Sequence, residues 1–319
     1  MDEPRTLVLA TRGSALALAQ ADRVGARAVA ARPGLVVELL VVSTAPDRAP
    51  DRPLRDLGGD KGLFTREIDE AVLDGRAHAA VHSLKDLPAG PPPGGLRIAA
   101  TPLRDDPRDA LVSAWPGGLA GLPAGARVGT GSLRRAALLA AARPDLRVVE
   151  MRGNVDSRVA RVGRGEFDAV VLAAAGLLRL GLAGRVSEFL DAAAFPPAAA
   201  QGILAVVAPG VEQPDPFADL WPALDDPAVA AAAAAERAFI EELGAGCHSA
   251  VAALATPGPD AFGPSAIRPD ARLAFHGAVL APDGSARLDT RRSGDAGSAA
   301  DVGRAAAEDL LARGCGRYL

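Results

Sequence analysis

The sequence predicts an α/β protein built from two doubly wound lobes and a small α+β third domain. Three observations predict it. Apolar strand-like runs alternate with helical patterns through the first hundred residues. The alternation begins again after the turn-rich break PAGPPPGG at 88–95. From about residue 225 the pattern changes to one long Ala-rich helix followed by segments that alternate as antiparallel strands do. A chain of 319 residues suits two or three such units.

TLVLAT reads as a buried strand that ends at Arg12, Gly13 and Ser14, and SALALAQADRVGARAVAA as the helix after it. GLVVELLVV is the second strand, KGLFTREIDEAVLDG an amphipathic helix, and AHAAVH a short buried strand that runs into SLKDLP. LRIAAT closes this unit. The second unit begins after DDPRDALVS: ARVGT is a strand, SLRRAALLAAA a helix, LRVVEM a strand, VDSRVARVGRG a helix, and DAVVLAAAGLLRLG a strand entering a helix. FPPAAAQGILAVVAP then returns to strand character. A chain that leaves one unit, builds a second and comes back makes two lobes joined by two crossings, with a cleft between them. The expected domains are 1–101 with 203–220, then 102–202, then 221–319. In the last, AVAAAAAAERAFIEEL is a helix, VAALAT, RLAFHGAVL and ARLDTRR are strands, and AGSAADVGRAAAEDLLARG closes the chain.

Hydrophobic residues make up 49% and aromatics only 3%, so the cores must be packed with Ala, Val and Leu. A formal net charge of −4 argues against a general nucleic-acid binder. The start MDEPRTLVLATRGS lacks a signal peptide's basic and apolar regions, and no uncharged apolar run is long enough to span a membrane, so a cytoplasmic protein is expected. The two cysteines lie far apart, which gives neither a disulfide scaffold nor a zinc site. Lys61 and Lys85 are the only lysines in an otherwise Arg-using chain, and both sit in motif-like stretches.

The arginines carry the first chemical signal. GTGSLRR places Ser132 at a strand-to-helix junction and Arg134 and Arg135 in the first turn, where cations oppose the helix dipole. That placement makes sense if they face an anion. MRGNVDSR repeats the theme with Arg152 and Arg158, and ATRGS supplies Arg12 and Ser14. Strand ends line the crevice of a doubly wound sheet, so these groups converge there. In HSLKDLP, Lys85 and Asp86 follow a buried strand, and a carboxylate there can stabilise a developing cation or pass a proton. His82 reads as a packed or hydrogen-bonded residue, since no second metal ligand sits at suitable spacing. Cys247, in ELGAGCHSA, is flanked by small and polar residues that give its sulfur no packing partners; Cys315 reads as a bystander.

Together ATRGSALALAQA, DKGLFTREID, AVHSLKDLP, DDPRDA, GTGSLRR, MRGNV, FDAVVLAAAGLLRLG, QGILAV, AERAF and GAGC resemble the porphobilinogen deaminase family, in its order and over nearly the whole chain. The resemblance implies periplasmic-binding-protein-like lobes and a transferase, hydroxymethylbilane synthase, with no metal. It condenses four porphobilinogen molecules head to tail, releases ammonia, and frees the tetrapyrrole by hydrolysis. It implies a dipyrromethane cofactor joined by a thioether to Cys247, with Lys85, Asp86, Ser132, Arg134, Arg135 and Arg158 as cofactor-binding residues. Asp86 matches the catalytic carboxylate. Arg12, Ser14, Phe64, Arg152 and Arg158 match substrate-binding positions. A monomer in tetrapyrrole and heme biosynthesis, with no obligate protein, nucleic-acid or membrane partner, is expected.

The chain departs from the family pattern at Pro46, at an apparent extra residue near Asp60, at Gly131 where Ser is usual, and at HSA after the cysteine. None removes the anchor, the carboxylate or the paired arginines. Two other readings are a non-catalytic two-lobed binder of small anions, which needs neither Cys247 nor Asp86, and a cysteine hydrolase, which needs a His–Cys pair that the sequence does not establish.

Overall fold

The computed structural model describes residues 6–45, 62, 65–246, 249–258 and 272–319. Strand β1 (Thr6–Arg12) leads into helix α1 (Ala15–Ala31), then β2 (Val36–Val42), α2 (Arg66–Leu73), β3 (Ala79–Ser83) and β4 (Leu96–Ala100). The second lobe follows with β5 (Asp109–Ser113), β6 (Arg127–Thr130), α3 (Leu133–Ala142), β7 (Arg147–Glu150), α4 (Val155–Gly163), β8 (Ala169–Ala173), α5 (Ala174–Arg179) and β9 (Glu188–Phe189). The chain returns through β10 (Leu204–Pro209) and the short α6 (Trp221–Leu224) to α7 (Pro227–Glu242). It closes with β11 (Val251–Pro257), β12 (Arg272–Leu280), β13 (Arg287–Asp295) and α8 (Ala299–Ala312).

Each lobe holds a five-stranded sheet, ordered β2-β1-β3-β10-β4 and β7-β6-β8-β5-β9. The two orders share one plan. In the first, β1 runs parallel to β2 and β3, and β10 is antiparallel to its neighbours. In the second, β6 runs parallel to β7 and β8, and β5 is antiparallel. The antiparallel strand of each sheet is the one the chain lays down just after crossing from the other unit. This is the doubly wound arrangement expected. The crossings themselves are short: Arg104 bridges to Ile203, and Asp105 N donates to Gly202 O at 3.0 Å.

Local chemistry explains the first-lobe elements. Leu7, Leu9 and Ala10 of β1 are fully buried, as a strand covered on both faces requires. Ser14 caps α1, its Oγ accepting from Ala17 N at 3.2 Å. The buried stripe Gln20, Ala21, Val24, Gly25 and Ala28 turns α1 onto the sheet. The core adds Val81, Leu204, Val206 and Trp221.

The chain separates into two compact units, Met1–Arg104 with Ile203–Ala230, and Asp105–Gly202 with Ala231–Leu319. The sequence-based boundary at 221 therefore moves. Trp221 and Leu224 are buried in the first-lobe core, and Trp221 Nε1 donates to Asp215 at 2.6 Å. The change of unit falls inside α7. Thr101 N and Oγ1 both donate to Asp225 Oδ1, at 2.6 and 2.9 Å, which holds Asp225 in the same unit; the boundary at 102 moves to Arg104, which bridges to Ile203. DALVS, left unassigned by the sequence, is β5 itself.

The antiparallel sheet β11-β12-β13 is packed by α7 and α8 around an alanine-rich core with Phe239 and Phe275 in ring contact at 5.2 Å. It shares its unit with the second lobe. Ala250 and Leu280 join the core of Leu111, Val128, Leu138 and Val171. Arg287 donates to the carbonyls of Ala193 and Ala194 at 3.0 and 2.8 Å. The β12–β13 turn needs Gly284: φ is +76°, and a Cβ there would stand 2.6 Å from Ala137 O on α3.

Candidate active site

In the first lobe a pocket forms where β1 and β3 end. Arg12 closes β1, Ser14 caps α1, and the single turn Leu84–Asp86 follows β3. The pocket is lined by Arg12, Ser14, Gln20, His82, Ser83 and Asp86, with Thr65 and Ile68 from the start of α2 at its side. Gln20 is 4% exposed, and its Nε2 donates to Ser83 Oγ at 2.8 Å, tying α1 to the end of β3. His82 donates through Nε2 to Asp69 Oδ1 at 2.9 Å, with both side chains buried. Asp86 is exposed, and among the described residues no hydrogen bond or ion pair engages its carboxylate. Lys85, beside it, is half-buried.

In the second lobe the helix that begins at SLRR is built around a buried carboxylate. Ser132 Oγ accepts from Arg135 N at 3.4 Å, and Ser132 N donates to Thr130 Oγ1 at 3.2 Å. Asp109, the first residue of β5, is fully buried. Arg134 Nη1 meets its Oδ2 at 2.8 Å, and Arg135 Nη2 and Nε meet its Oδ1 at 2.8 and 3.0 Å. Burial by itself would raise the Asp109 pKa, but the Arg134 and Arg135 guanidiniums outweigh it and hold the carboxyl well below the usual range. Gln201 completes the cluster. Its Nε2 donates to Asp109 Oδ1 at 2.9 Å and to Pro107 O at 2.8 Å, and its Oε1 accepts from Arg135 Nη2 at 3.2 Å. Arg134 also donates to Pro196 O at 2.7 Å, while its buried Nε has no partner.

Arg134 and Arg135 thus differ from the sequence expectation of forks open to a ligand. The anion they face is Asp109 of the same chain, and they are 2% and 7% exposed. Arg158 on α4 is the contrasting case. Its Nε donates to the Gly153 carbonyl at 2.7 Å, and among the described residues no carboxylate pairs with it. Burial, and then the charges of Arg135, Arg152 and Arg161, push its pKa down to about 10. Arg152 pairs with Glu150 at 2.9 Å on the surface. The three cations near it each have a carboxylate partner, Asp109, Glu150 and Glu166, so Arg158 is the member of the group with capacity for a further anion.

Cys247 and Phe64 lie outside the described residues, as do Pro46 and Asp60. The flanking residues Gly246 and Ser249 bond each other, Ser249 N donating to Gly246 O at 3.0 Å. Among the described residues no group of three or more His, Cys, Asp or Glu could hold a metal ion. Sequence reasoning missed Asp109, Gln201, Gln20 and Asp69. For Asp109 a signal existed: a carboxylate opening an apolar ALV run must be partnered if buried, and an adjacent arginine pair supplies the partners. Gln201 and Gln20 carry no such signal, because an amide can sit anywhere.

The chain matches known proteins over nearly its whole length. The family described as "Porphobilinogen deaminase, dipyromethane cofactor binding domain" matches residues 7–213, and "Porphobilinogen deaminase, C-terminal domain" matches residues 230–312. A porphobilinogen deaminase of Roseiflexus castenholzii is 46% identical over 310 residues, 97% of each chain. Those of Chromobacterium violaceum and Thermus thermophilus are 44% and 42% identical, covering 97% of this chain and 95% and 97% of theirs. Among solved structures, the VFT2 domain of Bordetella pertussis BvgS is 18% identical with a TM-score of 0.40, over 69% of this chain and 86% of that one.

Proposed function

The chain belongs to the porphobilinogen deaminase family, and from that premise we propose that Asp86 is its catalytic carboxylate and that Arg158 leads the group binding the carboxylates of its pyrroles. The family is a transferase family of tetrapyrrole and heme biosynthesis with a dipyrromethane cofactor-binding domain. Its reaction joins four porphobilinogen molecules with loss of ammonia, and water then releases hydroxymethylbilane.

One observation carries the assignment of Asp86. It is the one pocket-lining carboxylate left unengaged among the described residues, on the wall that also holds Arg12 and Ser14. An ionised carboxylate kept clear of salt bridges can accept hydrogen bonds from pyrrole N–H groups and stabilise positive charge that develops when ammonia departs. Arg12 and Ser14, beside it, suit the acetate and propionate of an incoming porphobilinogen.

A dipyrromethane fits the second-lobe chemistry. Its carboxylates need cations, and Arg158, which no carboxylate pairs with among the described residues, would provide the first; Arg135 and Arg152, paired with Asp109 and Glu150, stand near it. Ser132 at the N-terminus of α3 would join Arg158; Lys85 is a further cofactor-binding residue in this reading, and Cys247 would carry the thioether. When bound, the cofactor supplies the pyrrole carbon to which substrate is joined. Arg134 acts differently. Enclosed on Asp109 and Pro196 O, it holds the start of α3 in place, so that Ser132 and Arg135 keep their positions. Phe64 would stack on a ring.

Among the described residues no helix is long and apolar enough to cross a membrane. The reading is completed by a cytoplasmic location and a monomeric state. Intact-protein mass tests the anchor. The purified protein should carry a covalent addition of two pyrrole units, absent from Cys247→Ser. An active protein without that addition overturns the assignment.

A further inference from the structure

The first-lobe pocket contains a second group suited to proton chemistry. His82, the residue before Ser83 at the end of β3, is 5% exposed and lines the pocket together with Arg12 and Asp86. Its Nε2 lies 2.9 Å from Oδ1 of Asp69, which is 2% exposed and sits on α2. A carboxylate accepts hydrogen bonds, so Nε2 carries a proton whether the ring is neutral or charged. The nitrogen that can gain or lose a proton is Nδ1, and among the described residues nothing bonds to it. A ring fixed at one nitrogen by a buried carboxylate, with the other unengaged at a pocket, is arranged to take up a proton.

A purely structural tie between α2 and β3 is the alternative. His78 shows how such a tie looks in this lobe. Its Nδ1 accepts from Val8 N at 2.9 Å, its ring packs on Phe217 at 4.8 Å, and it is not among the pocket-lining residues. His82 has neither arrangement. The charged groups that share its surroundings are Asp69 from α2, Arg12 at the end of β1, and Lys85 and Asp86 in the turn after β3; β10 sets only Ala205 opposite it.

We propose that His82, oriented by Asp69, accepts at Nδ1 the proton released as each porphobilinogen is joined. Each addition breaks the C–N bond of the protonated aminomethyl group and one pyrrole C–H bond, and forms one C–C bond. The C–N electron pair leaves on ammonia. The C–H pair returns to the ring, and the proton passes to Nδ1. The imidazolium, with its Nε2–H still on Asp69, then gives that proton to the departing ammonia or to water. Asp86 stabilises charge while His82 carries the proton, so the two groups have separate tasks. The inference rests on the pocket being the reaction site, as proposed above.

The test uses the cofactor-loaded enzyme, with loading checked by mass and folding by thermal melting. His82→Gln should lower kcat roughly 100-fold, leave KM within about twofold, and abolish the acid limb of the kcat profile. In His82→Ala, added imidazole should restore turnover, which no structural tie would allow. A readout without turnover is nitrogen NMR of labelled histidine in the wild-type protein: the neutral His82 ring should carry its proton on Nε2 and not on Nδ1, and Asp69→Asn should erase that preference. Unchanged kcat in His82→Gln, an equal loss at every pH with no rescue by imidazole, or a neutral ring protonated at Nδ1 would each overturn the proposal. Asp86→Asn separates the two readings. If it turns over normally, the pocket is not the reaction site. If it is inactive while His82→Gln is normal, only the proton role fails.

Discussion

Arg134 and Asp109 form a closed pair: Nη1 stands 2.8 Å from Oδ2, with the arginine 2% exposed and the aspartate fully buried. Arg135 uses the other oxygen, so one carboxylate pairs with two cations at the start of α3 and leaves a net positive charge there. Removing that carboxylate strands both guanidiniums. Asp109→Ala should destabilise the protein by about 3–5 kcal/mol, read as a fall in urea midpoint at constant slope. Arg134→Met, which removes a cation and fills its space, should cost clearly less. Equal losses would show that the pair does not carry the effect.

The same pair sets an acid limit. The folded Asp109 carboxyl lies below its ordinary value of 3.8, because the two guanidiniums outweigh burial. A carboxylate depressed on folding contributes stability above its unfolded pKa and loses it as pH falls toward the folded one. The Asp109 contribution is therefore whole at neutral pH and declines only below about pH 4. Asp289 behaves similarly. Burial opposes ionisation, but bonds from His276 and Arg287 bring its pKa down to about 2. Urea midpoints should be flat above that region for the wild type and fall steeply beneath it. Asp109→Asn should start lower and fall less.

Much of this was legible in the sequence, for identifiable reasons. TLVLAT and AHAAVH are continuous apolar runs, and a strand covered on both faces must read that way. SLKDLP announced a turn after the strand, and Asp86 stands in it. The orientation of Arg134 and Arg135 was not legible. Two cations in a first helical turn show that an anion is wanted, but not that the chain supplies its own from Asp109, 25 residues earlier. β5 was missed because only three apolar residues, Ala110, Leu111 and Val112, stand between charged or polar ones. Trp221 was placed in the wrong unit because nothing local to WPAL states which core it fills.

Gly131 stands where the family pattern has Ser, and the structure gives a reason for glycine in this chain. A Cβ at Gly131 would lie 2.8 Å from the Met151 carbonyl oxygen, inside any ordinary contact. Gly131→Ser must therefore push apart the ends of β6 and β7. The expected cost is about 1–3 kcal/mol, with a lower melting temperature and weaker cofactor retention. A variant at least as stable as the wild type would mean that the two loops yield freely.

Asp86 offers a change of charge without a change of shape. Asp86→Asn should keep the mass added by the cofactor and the melting temperature, since no described residue loses a hydrogen bond. Turnover should fall by two orders of magnitude or more, roughly the effect of deleting one transition-state stabiliser. Asp86→Glu retains the charge but moves it, and should fall between the two. Rapid turnover in Asp86→Asn would remove the carboxylate from the mechanism.

Arg158 separates binding from stability. Burial, with Arg135, Arg152 and Arg161 nearby, pushes its pKa from 12.5 down to about 10. A base whose pKa is lowered on folding weakens the folded state wherever it is charged, so at neutral pH this guanidinium costs on the order of 3 kcal/mol in the ligand-free protein. The penalty should fade as pH rises above about 10. A bound carboxylate would offset it at neutral pH. Cofactor-free Arg158→Gln should therefore melt at or above the cofactor-free wild type, although it has lost a charge and a bond to Gly153 O. With cofactor attached, the wild type should gain more in melting temperature than the variant. Porphobilinogen should also bind the variant more weakly, seen as a higher KM. If Arg158→Gln instead melts well below the wild type when cofactor-free, the guanidinium is a structural prop, and the anion site must be sought among the other arginines.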